Sequence, residues 1–309
     1  MDRLREVGLV GVGAMGEPMG ASLVRAGYEL HVCAHRRREG VERLVAAGAV
    51  EQPDPAAVAA HSDVVITMVP DAPQVEEALF GARGARHGLR AGAVVVDMST
   101  ISPVASRAFH ERLARDGFAM LDAPVSGGPA RAASGELAIM AGGDAATFAR
   151  CEPVLKALGT PVHAGPAGMG ETFKLVNQLI IANVMIANVE GLVFAKKAGA
   201  DIELLRGVLA RATASNYLLE RWLPTAWFER HHEGGFALDL LRKDLNAALE
   251  AAKQMSVPVP SSALAFQLYT TASAEGHGRQ DYSGVATIYE RAAGVEVAGE
   301  ASESSGATR

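Results

Sequence analysis

The 309-residue chain carries 29 Lys and Arg against 35 Asp and Glu, a net charge of −6, so it lacks the basic stripe that nucleic-acid or anionic membrane surfaces demand of a partner. With 49% hydrophobic and 21% charged residues it reads as a globular protein, and at about 150 residues per domain its length predicts two domains. Cys33 and Cys151 stand far apart with no metal-ligand spacing around them, so neither a disulfide framework nor a metal site is expected and a reducing cytoplasm fits best. The opening MDRLREVGLVGVG runs from charge directly into a strand pattern and offers no cleavable signal. The 33 glycines exceed the roughly 22 that a share near 7% would supply, which asks where the backbone bends sharply or is approached closely.

In chain order, strands are expected at Val7 to Val12, Glu29 to Ala34, Asp63 to Val69, Ala93 to Met98 and Phe118 to Asp122, with helical stretches between them. Near-continuous apolar strands alternating with helices predict a doubly wound parallel sheet covered on both faces. A further pair, Glu136 to Ala141 and Pro161 to Ala164, flanks a helix from Asp144 to Leu158. Beyond residue 165 strand signals stop. Gly168 to Ala198 contains no proline and predicts a helix about 45 Å long. Its apolar centre makes it the spine of a helical domain, a subunit interface or a membrane span; Asn177, Gln178, Asn183, Asn188 and Glu190 argue against the span. Helices follow at Ile202 to Ala212, Asn216 to Ala226, Ala237 to Met255, Ser261 to Glu275 and Val285 to Ala292. The expected organisation is a Rossmann domain over 1–165, an all-α domain over 166–292 and a disordered tail over 293–309.

Directly after the first strand, Gly11-Val12-Gly13-Ala14-Met15-Gly16 forms a G-x-G-x-x-G loop opening a helix, the arrangement that sets a dinucleotide pyrophosphate on a helix N-terminus. Gly11 permits the tight turn, Gly13 lets backbone approach the pyrophosphate and Gly16 lets the helix pack on the sheet. Where the second strand ends, an Asp or Glu would hold the ribose 2′-hydroxyl of NAD. This chain instead has Ala34 followed by His35, Arg36, Arg37 and Arg38, a run suited to a 2′-phosphate. NADP is therefore expected, with NAD as the alternative and a solvated charge cluster as the plain reading.

Asp122 to Leu137 reads DAPVSGGPARAASGEL. Ser126, Gly127 and Gly128 can turn successive N–H groups toward a carboxylate, or can simply make the turn. GMGETFKLVNQ then opens the long helix, with Lys174 in its first turns and Gln178 one turn later on the same face. A lysine near a helix N-terminus opposes the macrodipole. Burial there would lower its proton affinity toward that of a general acid working near neutral pH; the plain alternative is a surface lysine paired with Glu171. In RKDLNAA, Lys243 and Asp244 form an exposed pair or reach the cofactor.

Together these segments resemble the β-hydroxyacid dehydrogenase family, which includes 3-hydroxyisobutyrate dehydrogenases, tartronate semialdehyde reductases and glyoxylate/succinic semialdehyde reductases. GLVGVGAMGEPMGASLVRAGY is similar to the family's coenzyme signature, DAPVSGG to its substrate signature, GMGETFKLVNQ to its catalytic one and RKDLNAA to a late cofactor-contacting one, over residues 6 to 292. The resemblance implies that Lys174 is catalytic and that Ser126, Gly127 and Gly128 bind the substrate carboxylate. It further implies that Gln178 positions the substrate, that Phe236 helps close the pocket, and that Thr100, Lys243, Met68, Val69 and Pro70 line the cofactor. Gln178 stands where many members have Asn, and KLVNQ resembles tartronate semialdehyde reductases. Arg131 stands where relatives are often small and would add a cation near the carboxylate.

The implied activity is hydride transfer between NADP(H) and a small carboxylate substrate, a 3-hydroxy acid or its semialdehyde, in a cytoplasmic homodimer or homotetramer. Three alternatives share the architecture. A 6-phosphogluconate dehydrogenase would be longer and would carry a histidine where Asn177 stands. An imine reductase-like NADPH enzyme, or a non-catalytic dinucleotide-binding protein, would be expected to lack Lys174.

Overall fold

A computed structural model describes residues 4–297. The chain forms two compact units that divide between Val176 and Asn177, inside the long helix rather than at the expected boundary near 165.

The first unit is built on a nine-stranded sheet in the order β3-β2-β1-β4-β5-β6-β8-β7, with β9 paired to β8. Its strands are β1 (Glu6–Val10), β2 (Glu29–Cys33), β3 (Val50–Gln52), β4 (Val64–Thr67), β5 (Val94–Asp97), β6 (Ala119–Asp122), β7 (Val125–Ser126), β8 (Leu137–Gly143) and β9 (Gly159–Gly165). Its helices are α1 (Gly16–Arg25), α2 (Glu39–Ala46), α3 (Pro55–Ala60), α4 (Ala72–Phe80), α5 (Pro103–Arg115), α6 (Gly128–Ser134) and α7 (Ala145–Lys156), after which α8 (Met169–Lys197) begins.

The apolar strands work as their pattern requires. Val64, Ile66, Val94 and Val96 enter one core, whereas Val65 and Val95, the alternate residues of the same strands, enter the other. The sheet is parallel through β6, but β8 runs antiparallel to β6 and β7 antiparallel to β8, so the expected all-parallel sheet is mixed at this edge. Two strands escaped the sequence reading: β3 has three residues and β7 two, too short for an alternation to show.

Sheet order reverses between β1 and β4: from β1 the chain passes to β2 and β3, then returns to β4 on the other side of β1. In open α/β sheets such a reversal opens a crevice beyond the carboxyl ends of the two strands, where ligands bind.

In the second unit α8 supplies Ala182, Met185, Val189, Leu192 and Val193 to a core shared with Trp227, Leu241, Leu245 and Tyr269. These come from the segments after α9 (Ile202–Leu209), chiefly α10 (Leu238–Gln254) and α11 (Pro260–Ala272), with α12 (Ala286–Ala293) completing the unit. The polar residues that interrupt α8 all find partners here. Asn183 Nδ2 donates to Ser262 Oγ at 2.9 Å, Asn188 and Asn216 exchange amide hydrogen bonds at 3.0 Å, and Tyr289 donates to Glu190 Oε1 at 3.0 Å. α8 is thus long and apolar enough to cross a membrane yet is the spine of a helical unit. The helix expected at Asn216 to Ala226 is present in π-helical form over Leu218–Trp222 and Pro224–Phe228, and its bonds are already widened before Pro224, the Leu223 N–H donating to the Leu218 carbonyl. Another π-helical turn, Ser273–His277, follows α11, where Gly276 takes φ of 98°.

Of the tail expected to be disordered, 298–309 lies outside the described residues. The part before it does not fit that expectation. Val297 is buried in the second core, and its N–H donates to Glu290 Oε1 at 2.8 Å.

Candidate active site

The loop after β1 is shaped by its own glycines. Gly11 has φ of 105°, and a Cβ there would fall 2.2 Å from the Met68 carbonyl oxygen. A Cβ on Gly16 would fall 1.9 Å from the Gly11 carbonyl oxygen. Both are required by packing alone. Gly13 is not: its φ is ordinary, and a Cβ there would meet nothing within 4 Å. Packing does not require a glycine here, and the position leaves room for close approach of a ligand to the backbone.

Among the helices of the first unit side-chain capping sets the same loops apart, whereas α10, α11 and α12 of the second unit are uncapped as well. Asp54, Asp71, Ser102 and Asp144 cap α3, α4, α5 and α7 with their side chains, each contributing about 1 kcal/mol. α1, α2 and α6 have no side-chain cap. These three helices follow the glycine loop, the arginine turn and the Ser126–Gly128 turn. Their first N–H groups, with the positive end of each helix dipole, suit an anion.

At the end of β2 the three arginines part company. Arg38 pairs with Glu51 at 2.9 Å, whereas Arg36 and Arg37, with His35, are exposed and among the described residues form no ion pair. Ala34, not an acid, stands at the strand terminus.

The loops after β4 and β5 are tied to each other. Asp97 Oδ1 accepts from Thr67 Oγ1 at 2.8 Å and from the Ser99 N–H at 3.1 Å, and Ser99 Oγ accepts from the Val69 N–H at 3.0 Å. This network fixes Met68, Val69 and Pro70 beside the Gly11 turn and holds half-buried Thr100 next to Ser99. Asp97 is fully buried, and burial pushes its carboxyl above the usual range against the lowering effect of Ser99 and Thr67.

Asp122 ends β6 and organises the start of α8. Its Oδ1 accepts from the Gly168 N–H at 2.8 Å and from His110 Nε2 at 3.1 Å, and its Oδ2 accepts from the Glu171 N–H at 3.0 Å. A carboxylate 46 residues earlier in sequence therefore does for α8 what a local cap does for its neighbours. The fit is close: a Cβ on Gly170 would lie 2.2 Å from the Met140 carbonyl oxygen and 2.4 Å from that of Asp122. Glu171 is buried, its Oε2 accepting from the Ile101 N–H at 3.1 Å. One turn on, Lys174 is only 6% exposed, which rules out a solvated surface lysine. A buried ammonium loses several kcal/mol of hydration unless its partners replace it.

Ser126 closes β7, and Gly127 and Gly128 follow with φ of 139° and 69°. Two successive residues of positive φ at the head of α6 make a sharp turn that glycine alone adopts without strain. Arg131 is exposed, its carbonyl accepting from the Glu136 N–H at 2.8 Å.

In the second unit Gln178, 1% exposed, donates from Nε2 to Asp244 Oδ2 at 2.6 Å, and Lys243 Nζ lies 2.8 Å from Asp244 Oδ1. Lys243 and Asp244 are therefore not an exposed pair: Asp244 is buried and joins two residues the sequence had singled out separately. Half-buried Phe236 is held by its N–H on Asp281 Oδ2 at 2.9 Å and by the Tyr282 N–H on its carbonyl at 2.9 Å. Sequence reasoning gave no role to Asp97, Thr67, Ser99 or Asp281, left Asp122 and Glu171 without a positioning role, and weighed Asp244 only as the partner of Lys243. For Asp97 and Asp122 a signal exists, since each is an acid ending an otherwise apolar strand, VVVD and AMLD.

Residues 6–168 match the family described as the NAD binding domain of 6-phosphogluconate dehydrogenase, and residues 168–289 match that described as NAD-binding of NADP-dependent 3-hydroxyisobutyrate dehydrogenase. The 2-hydroxy-3-oxopropionate reductase of Escherichia coli is 39% identical over 95% of this chain and 100% of its own length. The chain belongs to the β-hydroxyacid dehydrogenase family. The 2-(hydroxymethyl)glutarate dehydrogenase of Eubacterium barkeri is 36% identical over 97% of this chain and 99% of its own. Among solved structures, the 3-hydroxyisobutyrate dehydrogenase of Mycobacterium tuberculosis with L-serine superposes with a TM-score of 0.87 at 30% identity, covering 93% of this chain and 99% of that one. As a family member this protein is a hydroxyacid dehydrogenase that uses a nicotinamide dinucleotide. Gly13 and the uncapped α1 fit that cofactor's pyrophosphate on structural grounds alone.

Proposed function

We propose that this dehydrogenase interconverts a small 3-hydroxy acid and its semialdehyde with NADP(H), on a substrate of the tartronate semialdehyde (2-hydroxy-3-oxopropionate) or 3-hydroxyisobutyrate type, with Lys174 as general acid and base. The observation that carries this reading is a lysine buried at the head of a helix whose start is pinned by Asp122. The two relatives named for related substrates support the substrate class, and the exposed Arg36 and Arg37 support the 2′-phosphate.

Residues 11–16 hold the pyrophosphate, His35, Arg36 and Arg37 the adenosine phosphate, and Met68, Val69, Pro70, Thr100 and Lys243 the remainder of the dinucleotide. When bound, the cofactor supplies or accepts the hydride. Lys174 as ammonium donates a hydrogen bond to the carbonyl oxygen and then its proton to the developing alkoxide; as neutral amine it takes the hydroxyl proton in the reverse direction. Ser126, Gly127 and Gly128 hold the carboxylate, which sets the distance from anchor to reacting carbon and selects 3-hydroxy acids over simple alcohols. Gln178 and Phe236 orient the substrate.

The exposed apolar residues Phe173, Val176, Ile180 and Phe194 stripe one side of α8 and support a homodimer or homotetramer, and the reading places the enzyme in the cytoplasm. The decisive measurement is steady-state turnover of a panel of semialdehydes and 3-hydroxy acids with both coenzymes, for the wild type and Lys174→Ala. Turnover of the variant within severalfold of wild type would remove Lys174 from the mechanism. NADH used as well as NADPH would remove the 2′-phosphate role.

A further inference from the structure

The amino-terminal edge of the sheet holds a cluster that the dehydrogenase reaction does not use. Parallel register pairs Glu6 on β1 with Glu29 on β2, and the two-residue period of a strand puts His31 on the same face as Glu29. One ligand atom from each of the three lies within 4.8 Å of the others.

His31 is the informative member. Its side chain is 4% exposed, and its Nε2 has no hydrogen-bond partner among the described residues. Glu29 Oε1 stands 3.9 Å from that nitrogen, beyond hydrogen-bond reach. Two metal–ligand bonds of about 2.1 Å span up to about 4.2 Å, so 3.9 Å suits two ligands of one ion at a wide angle. The surroundings orient the ligands as an outer shell does. Gln52 Nε2 lies 3.2 Å from His31 Nδ1. Arg90 holds Glu6 Oε2 at 2.5 Å and reaches Asp63 Oδ1 at 3.2 Å, leaving Glu6 Oε1 for an ion.

We propose that Glu6, Glu29 and His31 form a binding site for a divalent transition-metal ion of the zinc type, completed by water. One imidazole with two carboxylates suits Zn²⁺, Co²⁺ or Mn²⁺ and disfavours Mg²⁺, which takes oxygen ligands. Ligation by Nε2 places the imidazole proton on Nδ1, which donates to the Gln52 amide oxygen once that amide turns over. The site departs from the sequence expectation of no metal, which rested on cysteine spacing and overlooked ligands brought together by strand register. Glu6 and Glu29 begin parallel strands whose far ends carry the glycine loop and the arginine turn, roughly four residues or 13 Å away. The ion's effect is to clamp β1 to β2 rather than to join the chemistry.

The test uses the untagged, chelator-treated full chain. Titration with Zn²⁺ followed by calorimetry gives one saturable equivalent, and the thermal midpoint rises by several degrees because only the folded state offers the site. Co²⁺ gives visible d–d absorption, and Mg²⁺ gives neither effect. Glu29→Gln, an exposed position, and Glu6→Gln each weaken Zn²⁺ binding by about tenfold or more, with Glu29→Gln turnover unchanged. Should Glu6→Gln fail to fold for want of its Arg90 pair, Glu29→Gln with His31→Gln decides. Absence of saturable Zn²⁺ binding to the wild type overturns the proposal, and so does binding that Glu29→Gln leaves undiminished. Neither result touches the dehydrogenase reading.

Discussion

Two glycine-bearing turns, residues 11–16 and 126–128, look alike in sequence and differ in what demands their glycines. In the second turn Gly127 is left-handed at φ of 139°, and a Cβ would meet Arg131 Cβ at 2.9 Å, so the chain needs glycine there with or without a ligand. In the first, Gly11 and Gly16 are equally committed to packing, but Gly13 has open space where a Cβ would go. A glycine that packing explains is weak evidence of a site, and one that packing leaves unexplained, as it does Gly13, Gly191 and Gly207, marks a site only where its loop also suits a ligand.

The largest expected effect comes from Lys174→Ala, which leaves both turns intact. Turnover falls about 100- to 10,000-fold while NADPH binding, followed by fluorescence titration, stays near wild type. Loss of NADPH binding instead would mean that the lysine props up the first turn. The Arg36→Ala, Arg37→Ala double variant raises KM for NADPH by about 10- to 100-fold, the worth of one or two charge-assisted hydrogen bonds, with little change for NADH.

Gly13→Ala and Gly127→Ala test the contrast directly. Gly13→Ala leaves the thermal midpoint within the small range of neutral surface changes, about 0.5 kcal/mol, yet weakens NADPH binding by about tenfold. Gly127→Ala destabilises the fold by about 1–3 kcal/mol through forced backbone strain, whatever ligand is present. If Gly13→Ala binds NADPH normally, the distinction between the two turns collapses.

The smallest effect at working pH lies in the second unit, which contains neither turn. Burial pushes the His232 imidazole down to about 4, helped by His277 and His231. The unfolded chain therefore binds a proton near pH 6.5 that the folded chain refuses, and stability declines as pH falls from about 6.5 toward 4. Thermal midpoints of the wild type should drop across that window more steeply than those of His232→Gln, in which the group is absent; equal slopes would assign the acid sensitivity elsewhere.

The parallel strands were legible because they are covered on both faces and so read as unbroken apolar runs, and the turn of Gly11 was legible because its motif sits between such a strand and a helix. β7 was not legible, since two residues show no period, and the antiparallel return of β8 depends on tertiary pairing with β6. The helix sought at Asn216 is present, but apolar spacing reports a buried face without distinguishing an α ladder from the π turns found there.

By itself the sequence determined the family, the alternation of strand and helix, the glycine loop and the lone lysine at the head of a long helix, because these are local patterns of residue type and spacing. Only the tertiary structure decided that Arg38 is taken by Glu51 while Arg36 and Arg37 form no ion pair among the described residues, that Lys174 is buried, that Asp122 caps its helix from a distant strand, and that Asp244 joins Gln178 to Lys243. Burial and pairing are properties of neighbours, and these neighbours are brought together by sheet order and helix packing, over separations of 13 residues for Glu51 and 66 for Gln178, rather than by any spacing visible along the chain.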